Sequence, residues 1–338
     1  MLRKLYSSYS LLLLALLLSI AACKNKEYAI PDPVSELSND CIKRTLGPNI
    51  VSLPIEFAYA MALPKSVGKL VSAQVEASIA GATGTYLENN SYYTNTSGQD
   101  VPVRIGTPSV NDGNRTKVTF NVDTNAATLR YYYYIPEEAR GKTVSFTFSA
   151  TSSDGKTVSY KMGPYNISKM DIKRNLTVTN GDSAYISIEN MAVYNSSNAA
   201  ANAGKVDLVY LYRATPAAFI HALVSPAADT QYLPGVKLPA GVNRSTKIRK
   251  VFNLPEYNLV RSFGTYVSST PSGIYIDDKD FQELNLSDAP NYAIGLKAEA
   301  GTWVETADGK YRAYIFINTV TVGTTSQRAV ISMLRYAL

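Results

Sequence analysis

The chain has 338 residues, 46% of them hydrophobic, which is enough for one large domain or two ordinary domains. A formal net charge of +6 over this length is no basic footprint for nucleic acid, so no nucleic-acid partner is expected. One histidine excludes a His-rich zinc site. Because the sequence also lacks a glycine-rich phosphate loop, no cofactor is expected.

Residues 1–22 have the pattern of a cleaved export signal. Arg3 and Lys4 precede an apolar core, Leu11 to Ile20, that is too short to span a bilayer comfortably. The sequence Ile20-Ala21-Ala22-Cys23 resembles a bacterial lipobox, in which the cysteine carries the lipid. We therefore predict lipidation of Cys23 and attachment to the outer membrane; the alternative is a plain secretory signal with a chance cysteine.

Residues 23–48 predict a flexible tether, because they are polar, contain three prolines and show no sustained periodicity. Once Cys23 is lipidated, Cys41 has no intramolecular disulfide partner. We expect its thiol to be buried, since it leads into an apolar segment; pairing with another chain is the alternative.

Residues 49–175 predict an immunoglobulin-like β-sandwich, because short apolar or alternating runs are separated by turn residues. The clearest hairpin covers residues 142–162, where Asp154-Gly155 joins two runs of period two. Other predicted strands are Ile50–Tyr59, Leu70–Ile79, Lys117–Val122 and Leu129–Ile135.

A polar, charged segment, Ser168–Ser183, predicts the domain boundary, and residues 182–338 predict a second β-rich domain. Two short helices are expected, Ser197–Ala203 and Thr215–Val224. The predicted fold class is all-β with minor α: an N-terminal immunoglobulin-like β-sandwich followed by a second β-rich domain.

Exposed aromatic rings beside polar groups are the surface that a sugar requires. Tyr92 and Tyr93 lie in a very polar segment and are candidate ligand-binding residues. Trp303, the single tryptophan, precedes the predicted turn at Asp308-Gly309 and fits a core position as well as an exposed platform. In the Tyr131–Tyr134 run, alternate rings must face opposite sides of a strand, so at least one pair belongs to the core.

The acidic cluster of Asp277, Asp278, Asp280 and Glu283 allows three interpretations. It is a solvated loop, a calcium site built on Asp277, Asp278 and Asp280, or the acid pair of a glycoside hydrolase. The solvated loop is preferred, because Lys279 interrupts the cluster and the calcium-loop spacing is missing. His221, in an apolar segment, predicts a packed, hydrogen-bonded histidine; with no other catalytic pattern in the sequence, we predict no enzymatic activity.

Four segments of the mature sequence carry a family resemblance: Asn39-Asp40-Cys41, Met191–Ala201, Lys205–Tyr210 and Ala222–Pro226. In these segments the chain resembles Bacteroidetes-type surface lipoproteins of unknown function. In addition, Asp182-Ser183-Ala184 resembles the short O-glycosylation motif of this phylum, which makes Ser183 a candidate site. Because such lipoproteins often accompany glycan-uptake systems, the resemblance implies a glycan ligand and an outer-membrane transporter as partner.

The expected function is therefore that of a lipid-anchored, non-catalytic protein of the cell envelope that binds glycan or assists polysaccharide uptake. The alternative is a structural or adhesive subunit, similar to a fimbrial protein, that exchanges a strand between copies. Lys24-Asn25-Lys26 after the lipidated cysteine differ from the acidic residues that often follow it in surface-displayed members. The sequence is therefore compatible with a location on either face of the outer membrane.

Overall fold

The computed structural model describes residues 35–251, 276–324 and 326–338. Every helix and strand named below lies in one compact unit, Glu36–Leu338. That unit contains two successive all-β halves. Within the described ranges, no helix is long and apolar enough to cross a bilayer.

The N-terminal half is a sandwich of two antiparallel sheets. Its strands are β1 (Ser38–Lys43), β2 (Pro54–Ala62), β3 (Leu70–Ala77), β4 (Tyr86–Leu87), β5 (Asn90–Thr94), β6 (Asp100–Arg104), β7 (Val110–Asp112), β8 (Arg115–Thr119), β9 (Ala126–Tyr134), β10 (Thr143–Ser152) and β11 (Thr157–Asn166). One sheet has the order β1–β2–β9–β4 and the other β11–β10–β3–β8–β7, while β5 and β6 form a separate hairpin. The immunoglobulin-like β-sandwich expected for this part of the chain is confirmed.

Period-two alternation builds the core of this sandwich. Phe57 on β2 and Tyr131 on β9 point inward and meet Phe146 and Phe148 on β10, with ring centroids 4.8–6.3 Å apart. Tyr133 is also buried, whereas Tyr132 between them faces outward and is half-buried. Two rings of the tyrosine run therefore belong to the core, as the alternation predicts.

The C-terminal half is a second sandwich, again of two antiparallel sheets. Its elements are β12 (Asp171–Thr179), β13 (Tyr185–Ser187), β14 (Ala192–Tyr194), α1 (Ser196–Ala201), β15 (Leu208–Arg213), β16 (Ile220–Val224), β17 (Lys247–Val251), α2 (Asp278–Glu283), β18 (Tyr292–Leu296), β19 (Gly301–Glu305), β20 (Tyr311–Val322) and β21 (Gln327–Ala337). The sheets have the orders β12–β21–β20–β19–β17 and β14–β13–β15–β16–β18.

Both sheets of the second sandwich bury both of their faces. Ile315 and Leu223 contribute to the apolar layer between the sheets. Outside the first sheet, Tyr314 and Phe316 pack under α2, together with Ile50 from the N-terminal half. Because side chains on both faces are covered, β20 is a nearly continuous apolar run instead of an alternating one.

The secondary structure differs from the sequence-based prediction at three places in the chain. The tether predicted for residues 23–48 includes β1, whose Leu37–Cys41 region contributes buried side chains to the first core. The linker predicted at Ser168–Ser183 contains β12, which pairs with β21 at the end of the chain. The second predicted helix, Thr215–Val224, contains β16 instead, because Ile220–Val224 pairs between β15 and β18.

An ion pair and hydrogen bonds from Arg140 join the two sandwiches. The Arg140 guanidinium donates to the Asp171 carboxylate, with Nη2 and Oδ1 2.7 Å apart, and Arg335 donates to the same carboxylate. Arg140 also donates to the backbone carbonyls of Lys169 and Met170. Charge-assisted hydrogen bonds are strong and directional, so these contacts fix the orientation of the two sandwiches within this unit.

Candidate functional site

A cavity of about 440 Å³ opens beside β4, at one edge of the four-stranded sheet. It lies between β4, β5 and the segment that leads into β7. The side chains that matter chemically come from Tyr86, Glu88, Asn90, Tyr92 and Ser109.

Strand pairing sets the aromatic part of this site. Tyr86 on β4 is the register partner of Tyr132 on β9, so both rings lie on the outer face of the sheet. Their centroids are 4.8 Å apart and their planes differ by 14°, which is a stacked arrangement. The Tyr86 side chain is nevertheless 38% exposed, so part of this supported ring faces solvent.

Tyr92 is held in place by two charged neighbours. Its hydroxyl donates to Glu88 Oε2 at 2.5 Å. The Arg130 guanidinium covers one ring face, with Cζ 3.7 Å from the ring centroid, and it also forms an ion pair with Asp100 on β6. These contacts, together with a hydrogen bond from the Thr128 amide to Ser91 Oγ, fasten the β5–β6 hairpin to β9.

Burial and the nearby carboxylate keep the site's phenols protonated. Desolvation, together with the charges of Tyr132 and Glu88, raises the pKa of Tyr86 to about 12. Desolvation and the interactions with Glu88 raise the pKa of Tyr92 to about 12 as well. At neutral pH the cavity therefore offers hydroxyl donors, one carboxylate acceptor, an amide from Asn90 and an apolar ring surface.

The two sequence-predicted tyrosines separate on opposite sides of β5. Tyr92 lines the cavity, but Tyr93 points away from it and is 55% exposed. Tyr92 therefore belongs to the candidate site and Tyr93 does not.

Trp303 is a core residue, so of the two positions that the sequence left open for it the structure has the core position and not the exposed ligand platform. Its side chain is only 9% exposed. The indole packs against Phe281 of α2, with centroids 5.2 Å apart, and against Tyr314 of β20 at 4.8 Å. Helix α2 packs on the ring through Phe281, so the indole forms no exposed platform.

The acidic cluster has structural partners. The Asp277 carboxylate accepts hydrogen bonds from the amides of Lys279 and Asp280 and so caps α2. Asp278 accepts from the Ser168 hydroxyl and from the Lys169 amide, the latter at 2.9 Å. Asp277 and Asp278 are therefore engaged by donors of the protein itself, which favours a structural role for the cluster.

The remaining candidates are placed as follows. His221 is buried with Nδ1 2.6 Å from the Tyr210 hydroxyl, and burial lowers its pKa, as expected for a packed histidine. Cys41 is buried, and burial raises the pKa of its thiol to about 12, so it is an inert structural residue. The O-glycosylation candidate Ser183 lies half-buried in the turn between β12 and β13. The lipidation candidate Cys23 lies outside the described residues.

A larger cavity, of about 800 Å³, lies between the sandwiches. Lys142 and Lys169 line it together with Asp278, whose carboxylate already binds Ser168. Its lining contains no aromatic ring, so it lacks the stacking surface that distinguishes the site beside β4.

Sequence reasoning missed Tyr86, Glu88, Arg130 and Tyr132 as members of the site. The only available signal was the alternation in the Tyr131–Tyr134 run, which requires half of its rings to face away from the core. Nothing local to Tyr86 or Glu88 indicates that they meet those rings, because β4 and β9 are about forty residues apart in sequence and join only through sheet pairing.

Two family models match the chain, each described as a domain of unknown function: DUF4466 over residues 34–167 and DUF8576 over residues 168–338. The two matches meet between residues 167 and 168, before β12 and at the start of the segment predicted to hold the domain boundary. None of the curated proteins compared with the chain matches it.

Among solved structures, a DUF4466 family protein from Parabacteroides merdae is 49% identical, with a TM-score of 0.81; the match covers 90% of this chain and 100% of that one. The collagen binding subdomain ACE19 of the Enterococcus faecalis surface protein ACE is 10% identical over 37% of this chain and 92% of its own, with a TM-score of 0.21. BcpA, the major pilin subunit of Bacillus cereus, is 7% identical over 87% and 66%, with a TM-score of 0.27. The last two scores are too low to support a conclusion about this chain. The match to the Parabacteroides protein, together with the two family models, shows that the chain belongs to the DUF4466 family and ends in a DUF8576 domain.

Proposed function

We propose that this chain is a lipid-anchored, non-catalytic glycan-binding protein of the cell envelope, and that the cavity beside β4 is its sugar site. The observation that supports this most directly is the partly exposed Tyr86 ring, stacked on Tyr132 and placed beside Glu88 and Asn90.

A sugar ring has two kinds of surface, and the cavity offers a partner for each. Apolar C–H faces of a pyranose pack on aromatic rings, and its hydroxyls exchange hydrogen bonds with carboxylate and amide groups. Because Tyr86 is supported from behind by Tyr132, its orientation costs little entropy on binding. The Tyr92 hydroxyl is similarly restrained by Glu88 and its ring by Arg130.

The anchor and the biological context come from sequence. The lipobox-like segment before Cys23 supports outer-membrane attachment, and the resemblance to Bacteroidetes-type lipoproteins supports an accessory role in polysaccharide uptake with a transporter as partner. The 49% identical relative from Parabacteroides merdae is consistent with that context.

Affinity electrophoresis in gels that contain plant or host polysaccharides tests the proposal. We expect retardation of the full chain by at least one polysaccharide, and about a tenfold loss of affinity in Tyr86→Ala, because the ring contributes both stacking and apolar burial. Tyr93→Ala is the matched control, because it removes an exposed tyrosine that lies on the far side of β5, outside the cavity.

Two results would contradict the proposal. One is the absence of retardation across a broad set of neutral and acidic polysaccharides. The other is equal affinity of wild type and Tyr86→Ala while Tyr93→Ala binds less tightly. Circular dichroism of each variant separates a loss of binding from a loss of fold.

A further inference from the structure

We propose that the cavity beside β4 selects neutral glycans and rejects anionic ones, and that Glu88 is the residue that determines this selectivity. This inference rests on the proposed glycan-binding function and adds the chemical class of the ligand. It depends on the charges that line the cavity and on where the neighbouring cation is placed.

Glu88 supplies the single charged side chain among the residues that line the cavity. The other polar groups, from Asn89, Asn90, Tyr92 and Ser109, are neutral. Among the described residues, the Tyr92 hydroxyl is the side-chain group that donates a hydrogen bond to the Glu88 carboxylate. A carboxylate has about four lone-pair positions, so it can still accept hydrogen bonds from sugar hydroxyls.

The cation that contacts Tyr92 lies outside the cavity lining. Arg130 forms an ion pair with Asp100, and its guanidinium lies against the Tyr92 ring. Its side chain is 19% exposed. The Asp100 carboxylate therefore compensates the charge of this guanidinium, and no Lys or Arg is among the residues that line the cavity.

The Glu88 carboxylate is therefore the charge that an anionic ligand would meet in the cavity. A uronate or sulfate bound there would face this like charge at close range. Repulsion at hydrogen-bonding range in a partly hydrated site corresponds to about tenfold or more in affinity.

The test compares each polysaccharide with its own oxidised form. Barley β-glucan, starch and yeast mannan are cast into affinity gels before and after selective oxidation of their primary hydroxyls to carboxylates, and the full chain is run in detergent. We expect native polymers to retard the protein at least about tenfold more strongly than their oxidised forms. In Glu88→Gln this ratio should fall several-fold, because the amide still accepts hydrogen bonds but carries no charge.

Glu76→Gln is the control, since it removes one carboxylate from the exposed surface of β3 in the other sheet. It should keep the wild-type ratio. Oxidised polymers that bind as well as, or better than, native ones would overturn the inference and leave the proposed function standing. Glu88→Gln with an unchanged ratio would overturn the role of Glu88. No retardation by any polymer, native or oxidised, would overturn the proposed function itself.

Discussion

Replacing Trp303 with alanine should destabilise the second sandwich without touching the sugar site. The indole is 91% buried between Phe281 and Tyr314, and both neighbours are themselves fully buried rings. Such surroundings cannot collapse easily into the space left by the indole. We therefore expect a loss of about 3–5 kcal/mol in the free energy of unfolding, the range for large buried aromatic side chains.

The assay is thermal and urea unfolding followed by far-UV circular dichroism, since Trp303 is the single tryptophan and its fluorescence disappears with the substitution. For a sandwich of this size the loss corresponds to a fall of about 6–20 °C in the midpoint. Trp303→Phe, which retains a ring, should lose less. A loss below about 1 kcal/mol in Trp303→Ala, with glycan binding abolished in a folded protein, would refute the assignment of Trp303 to the core.

Two further predictions concern carboxylates of the second sandwich. Burial alone would raise the pKa of Asp308, but hydrogen bonds from Thr306 and a backbone amide, with the Arg244 ion pair, lower it to about 2. The ionised Asp308 carboxylate therefore stabilises the fold fully above about pH 4, and this stabilisation is lost as the pH falls towards 2. Asp308→Asn should make the urea midpoint depend less steeply on pH in that window. An equally steep dependence in the variant would contradict this. Asp278→Ala should lower the free energy of unfolding by about 1.5–3 kcal/mol, because the hydrogen bonds from Ser168 and a backbone amide are lost. Added calcium should leave the wild-type melting temperature unchanged, and a calcium-dependent rise would revive the metal interpretation.

The sequence predicted the fold well wherever apolar and polar residues alternate along a strand. The hairpin of β10 and β11 alternates strictly, and its turn residues are adjacent in sequence. Strand β12 was missed because Lys173, Arg174 and Asn175 give it a polar composition and Asn175 interrupts its register with φ of +58°. Pairing with β21, over 150 residues later, makes it a strand, and no local pattern reports a partner that distant.

For the candidate site, too, local sequence could not report contacts between residues that are distant along the chain. Tyr92 could be proposed from its polar neighbours, since a ring among such residues has little to bury it. Trp303 could not be assigned, because the indole is covered by α2, a helix too short to carry a periodic signal. Which aromatic residue is exposed depends on what packs over it, and that is decided by tertiary structure.

The order β1–β2–β9–β4 has a mechanical consequence. In a protein held by its N-terminus and bound to a polymer, tension from the anchor enters the described fold at β1, one edge of this sheet. Tension from the polymer enters at β4, the opposite edge of the sheet. The force therefore passes through the backbone hydrogen bonds of each neighbouring strand pair in turn. Strand β4, with two residues, is the shortest of the four strands, so we expect its pairing to break first.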